Sequence, residues 1–90
     1  MSSTAVQKVS FKFILTSDRS QPYKVIAIPE SVAMSVVVRF VANAFNLNAG
    51  TIALLNNSGS PIMPTLSAGE AFLQYGSDIR VISRDRVGAF

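Results

Sequence analysis

The side chains that most often carry out chemistry are missing from this sequence. There is no histidine, which removes the commonest general base and metal ligand, and no cysteine, which removes any thiol nucleophile and any disulfide. The five acids, Asp18, Glu30, Glu70, Asp78 and Asp85, stand far apart, and no spacing pairs two carboxylates for acid–base work. No catalytic residue and no metal site are therefore expected. What remains is the end of the chain. Residues 83–90, SRDRVGAF, follow the apolar run Ile79-Arg80-Val81-Ile82 and carry alternating charge, then Val87, a lone Gly88 and the apolar stub Ala89-Phe90. In an extended arm Ser83, Asp85 and Val87 face one way, and Arg84, Arg86 and Gly88 the other. Such an arm can thread a narrow channel, with the arginines making charge-assisted contacts on one wall. A glycine has no Cβ, so a thiolate or an amine can approach its carbonyl closely. The bland alternative is a frayed Arg-Asp-Arg terminus, and these residues alone do not separate the two.

Ninety residues make one domain with one modest core, burying roughly two-thirds of the unfolded chain's surface. Hydrophobic residues are 49% and charged residues only 14%, the balance of a folded globule. The formal charge of +3 is dispersed, which favours solubility and acidic partners. No basic cluster alternates with aromatics, so no nucleic-acid partner is expected. No apolar run approaches the roughly 20 residues that span a bilayer, so no membrane insertion is expected. The opening MSSTAVQ lacks the parts of a secretory signal and reads as a flexible leader over residues 1–7. The domain is expected over residues 8–82, with a flexible tail over 83–90.

The elements that must position this tail are legible as changes of period. In KVSFKFILT, residues 8–16, Val9, Phe11, Phe13 and Leu15 alternate with Lys8, Ser10, Lys12 and Thr16, which predicts a strand with one buried face. SDRSQP is turn chemistry, and YKVIAI, residues 23–28, predicts a second strand ended by Pro29. Alternation there turns Val25 and Ala27 outward and Ile26 and Ile28 inward. From Ser35 the period becomes helical: Met34, Val37, Val38, Phe40, Val41, Ala44 and Phe45 share one face, with Ser35 as the predicted N-cap. TIALLN, residues 51–56, reads as a third strand and Ile62-Met63 as a very short one. Ser67 and Glu70 form a capping box for the helix AGEAFLQY, which Gly76 stops. A last strand covers residues 77–82. If the first and last strands pair in parallel at the centre, the result is an α+β β-grasp fold: a mixed four- to five-stranded sheet against one main helix, plus a short second helix. A ferredoxin-like arrangement is the alternative that order and lengths leave open.

The residues themselves then resemble a known family. KVSFKFILTSD, PYKVIAIPES, the helix with its R-F-x-x-x-x-F pattern and AFLQYGSDIRVISRDRVG together resemble the ubiquitin-fold modifier family, from about Lys8 to Gly88. The most specific piece is GSDIRVISRDRVG, since ubiquitin closes with two glycines and this family with Val-Gly. The resemblance implies a ubiquitin-like protein that is substrate and signal, with no catalysis and no cofactor of its own. A maturation and deconjugating cysteine protease removes Ala89 and Phe90. An activating enzyme adenylates the Gly88 carboxylate with ATP and holds it as a thioester, and a conjugating enzyme and a ligase pass it to target lysines. Tail recognition falls to Arg84, Asp85, Arg86 and Val87. A cytoplasmic and nuclear monomer is implied, with conjugates at the surface of the endoplasmic reticulum.

One partner surface is expected on the body. In a β-grasp sheet the second strand is an edge, so a segment of the activating enzyme is expected to pair beside Lys24, Val25, Ile26, Ala27 and Ile28, with Lys24 and Arg39 supplying charge. The sequence also departs from the family's pattern. Gln74 stands where a lysine is usual, Tyr75 where a histidine is usual, and Asn43-Ala44 where two glutamates are common. The alternative to a conjugated modifier is a ubiquitin-like interaction module that is never conjugated.

Overall fold

The computed structural model describes residues 7–83. In chain order these form β1 (Lys8–Leu15), β2 (Tyr23–Pro29), α1 (Met34–Ala44), a 3-10 turn (Ala49–Thr51), β3 (Ile52–Leu55), α2 (Ala68–Tyr75) and β4 (Asp78–Ser83). The four strands make one mixed sheet in the order β2-β1-β4-β3. β1 and β4 are parallel neighbours at its centre, with Phe13 opposite Ile79 and Leu15 opposite Val81. β2 and β3 flank them in antiparallel register, Ile26 opposite Phe11 and Leu54 opposite Val81. This is the ubiquitin-like β-grasp, and the parallel central pair excludes the ferredoxin-like alternative.

The alternation read in β1 is the alternation observed. Phe11 and Phe13 are fully buried and Leu15 nearly so, and they share the core with Ile28, Val37, Val41, Ile79 and Val81. The Phe11 ring meets Phe13 at 5.6 Å and, edge to face, Phe72 of α2 at 5.7 Å. Burying side chains of this size contributes about 1.5–3 kcal/mol each. The core thus ties both helices to the central strands.

Of the boundaries that differ from the sequence reading, three have a visible hydrogen-bonding cause. Ser35 is not the N-cap of α1. That position is Ala33, which has no side-chain cap. The Met34 and Ser35 N–H groups instead donate to the Leu66 and Pro64 carbonyls, at 2.8 and 3.1 Å. Residue 51 belongs to the 3-10 turn, not to β3, because its N–H and hydroxyl donate to the Asn48 carbonyl at 2.9 and 2.7 Å. The short strand expected at Ile62-Met63 is only a single bridge, between Leu55 and Pro61. The α1 stripe is also turned: Ala42 is buried, and Phe40, expected in the core, is 42% exposed. The helix packs through Met34, Val37 and Val41 on the side that carries Ala42, which leaves Phe40 on the flank.

The local readings of α2 hold. Ser67 and Glu70 make both bonds of the capping box, at 2.9 and 3.2 Å. Gly76 ends α2 at φ 82° and ψ −166°, a backbone region open essentially to glycine alone. Asn46, at φ 58°, stops α1 while the Asn46 and Leu47 N–H groups bond back to the Asn43 and Ala42 carbonyls.

Candidate functional site

Two features of the fold bear on the residues that the sequence singled out. The first is the base of the tail. β4 lies between β1 and β3, so the chain leaves the sheet from a strand paired on both sides. Its end is held firmly. Ser83 stands opposite Ile52 in the ladder, and its N–H donates to the Ser17 hydroxyl at 3.0 Å. The Thr16 N–H donates to the Val81 carbonyl at 2.9 Å. Order therefore continues one residue past the expected domain end at residue 82. At the other end the Gln7 carbonyl accepts the Glu30 N–H at 2.9 Å, so the hairpin also reaches one residue into the expected leader. Arg84, Asp85, Arg86, Val87, Gly88, Ala89 and Phe90 lie outside the described residues, as do residues 1–6 of the leader.

The second feature is the outer edge of β2. Among the described residues no strand pairs there. Leu15 N–H donates to Pro22 and Glu30 N–H to Gln7, which fixes the alternation of the ladder. Even-numbered residues of β2 bond inward to β1, and Tyr23, Val25 and Ala27 direct their backbone groups outward. Val25 is 63% exposed and Ala27 is exposed, while Ile26 is half-buried and Ile28 fully buried. Lys24, exposed but on the helix side of the strand, places its ammonium 6.0 Å from the Phe45 ring at the end of α1. Arg39 is exposed at the middle of α1. The edge thus carries residues 24–28, and Arg39 lies on the neighbouring helix.

The surroundings are electrostatically plain. Among the described residues no three acids converge as a metal-binding set, and no helix is long and apolar enough to cross a membrane. On the open face of the sheet the Lys12 ammonium lies 4.5 Å over the Tyr23 ring, a cation–π contact that fixes the start of the edge. In the turn between β1 and β2, the Ser20 N–H and then its hydroxyl hold the Asp18 carboxylate below its ordinary pKa.

Known structures agree on the fold. Ubiquitin from Caldiarchaeum subterraneum superposes with a TM-score of 0.74 at 15% identity, covering 91% of this chain and 100% of that one. A ubiquitin-like domain in a splicing factor gives 0.70 at 13% identity, covering 93% and 76%. A computationally designed protein based on human erythrocytic ubiquitin gives 0.66 at 17% identity, covering 90% and 98%. At these identities the likeness establishes architecture alone. The sequence carries the rest, because the profile of the ubiquitin fold modifier 1 protein matches residues 1–87. With that match spanning the β-grasp and reaching Val87, the chain belongs to the ubiquitin fold modifier 1 family and is a small ubiquitin-like modifier rather than an enzyme.

Proposed function

We propose that this modifier works through the carboxylate of Gly88, exposed when a cysteine protease hydrolyses the peptide bond to Ala89. An activating enzyme joins that carboxylate to AMP from ATP, releasing pyrophosphate, and its thiolate then displaces AMP. A conjugating enzyme takes over the thioester, and with a ligase the amine of a target lysine displaces the thiolate to form an isopeptide bond. The family match through Val87, the residue before Gly88, is the observation that carries this reading. Chain geometry supports it. Residues 84–88 can span at most about 17 Å, enough for an acyl carbon to enter a narrow site while the folded body stays at its mouth.

On the same reading, a segment of the activating enzyme adds as a strand beside β2, bonded to the outward groups of Tyr23, Val25 and Ala27. Lys24 and Arg39, both on the helix side of the sheet, then meet acidic residues of that segment. Position 74 takes no part as an acceptor. Gln74 is exposed on α2, but its amide lone pair is delocalised and cannot attack a thioester. Lys8 and Lys24 are exposed, whereas Lys12 is half-buried with its ammonium on Tyr23. The direct test is proteomic. Trypsin cuts after Arg86, so conjugates should leave a Val-Gly remnant on lysines of other proteins in cell extract. A modifier recovered only as the free chain would instead favour an interaction module that is never conjugated.

A further inference from the structure

The two helices begin against each other. The Ala68 and Gly69 N–H groups of α2 donate to the Val32 and Glu30 carbonyls at 2.7 and 2.9 Å, while α1 donates its first N–H groups to residues 66 and 64. The approach is close: a Cβ at position 69 would lie 3.0 Å from the Glu30 Cβ and 3.3 Å from the Glu30 carbonyl oxygen, so the neighbouring segment would have to give by a few tenths of an ångström. Beside this junction lies an open cleft of about 430 Å³, lined by Val9, Glu30, Ser31, Ser67, Gly69, Glu70, Phe72 and Leu73. Neither the base of the tail nor the outward groups of β2 line it.

Its chemistry is one-sided. Val9, Phe72 and Leu73 supply apolar surface, and Leu73 is 85% exposed, the most exposed of the large apolar side chains described. The chain is net positive with only five acids, yet two of them, Glu30 and Glu70, line this cleft and no lysine or arginine does. The start of α2 offers an anion nothing. The Ala68, Gly69 and Glu70 N–H groups are already bonded, the last to the Ser67 hydroxyl at 3.2 Å. Glu70 accepts the Ser67 N–H at 2.9 Å, which places its carboxylate at the helix start while its charge remains unneutralised by any cation in the lining.

We infer that this cleft is a docking site for a peptide segment of a partner protein that carries a lysine or arginine beside a large apolar side chain. The apolar group covers Leu73 and Phe72, and the cation meets Glu30 and Glu70. The site is independent of conjugation, since it uses no residue of the tail and no backbone group of β2.

The test begins with a displayed library of random hexapeptides selected against the folded protein. Amide shifts of the labelled protein with the best binder then locate its site. The expected binders pair a basic residue with a leucine-sized one and shift Ser31, Gly69, Glu70 and Leu73 while leaving residues 23–28 unmoved. Leu73→Ser, at a position too exposed to matter for folding, should weaken binding about tenfold. Glu30→Gln should weaken it about threefold, a difference that salt erases. Acidic or uncharged binders indifferent to Glu30→Gln would overturn the inference. So would a selection whose binders all map to β2, or one that yields none.

Discussion

The two edges of the sheet are built in opposite ways. β3 is short, and the chain that follows it folds back to cover its outer side. The Ile62 N–H donates to the Leu54 carbonyl at 3.0 Å, and Pro61 bridges to Leu55. The returning loop is itself held by Asn56, whose side-chain oxygen accepts the Ser58 and Ser60 N–H groups at 2.8 and 3.1 Å. β2 is longer and has no such cover among the described residues, only the exposed Lys24. Among the described residues one edge is blunted and the other is open to strand addition. That asymmetry is why the proposed enzyme contact falls on β2.

Proline substitution breaks the comparison most severely. Ile26 faces Phe11 and directs its N–H into the ladder. Ile26→Pro should cost about 3 kcal/mol or more, from a lost bond, an unpaired buried carbonyl and lost packing. Val25→Pro removes only an outward N–H and should cost about 1 kcal/mol or less, while abolishing strand addition. Denaturant titration of both variants, with peptide binding to the second, reads the contrast. Equal destabilisation would mean that the assigned ladder alternation is wrong.

A smaller effect tests the covered edge. Asn56→Ala removes two bonds from the strap and should cost about 1 kcal/mol. It should also speed hydrogen exchange at the Ile62 amide without changing that of Ile26. The smallest effect lies in the turn that leads into β2. Because the Ser20 N–H, then its hydroxyl, lower the Asp18 pKa, the stabilisation is complete above the unfolded carboxylate's pKa. It is lost as pH falls through the lower folded value. Asp18→Asn should therefore lower stability slightly at neutral pH, match the parent chain at low pH where Asp18 is protonated, and so flatten the acid side of the profile, which thermal melts across that range will show.

Legibility followed the range of the interactions. Alternation in residues 8–16 and 23–28 gave both faces of the hairpin correctly, since a strand's faces follow from neighbours in sequence. The α2 start was legible because Ser67 and Glu70 satisfy each other within three residues. The α1 start was not, because its caps are the carbonyls of Pro64 and Leu66, and no local residue announces them. Phe40 misled by its size: a large apolar side chain drew the helical face toward it, whereas packing against the sheet chose the side of Ala42. For the site, the outward turn of Val25 and Ala27 was readable from the alternation of the strand. The cleft between residues 30–31 and 67–73 had no sequence signal, since long-range backbone bonds assemble it.

The central claim is that the acyl group transferred is that of Gly88. Intact-mass measurement of the modifier incubated with purified activating enzyme and ATP tests it most directly. The chain ending at Gly88 should form a thioester that thiol reductant releases. The full-length chain should stay uncharged until a protease removes Ala89 and Phe90. Gly88→Ala, ending at the same position, should charge far more slowly with an unchanged melting temperature, because a Cβ crowds the attacked carbonyl. A thioester on the untrimmed chain, or equal charging of Gly88→Ala, would contradict the account.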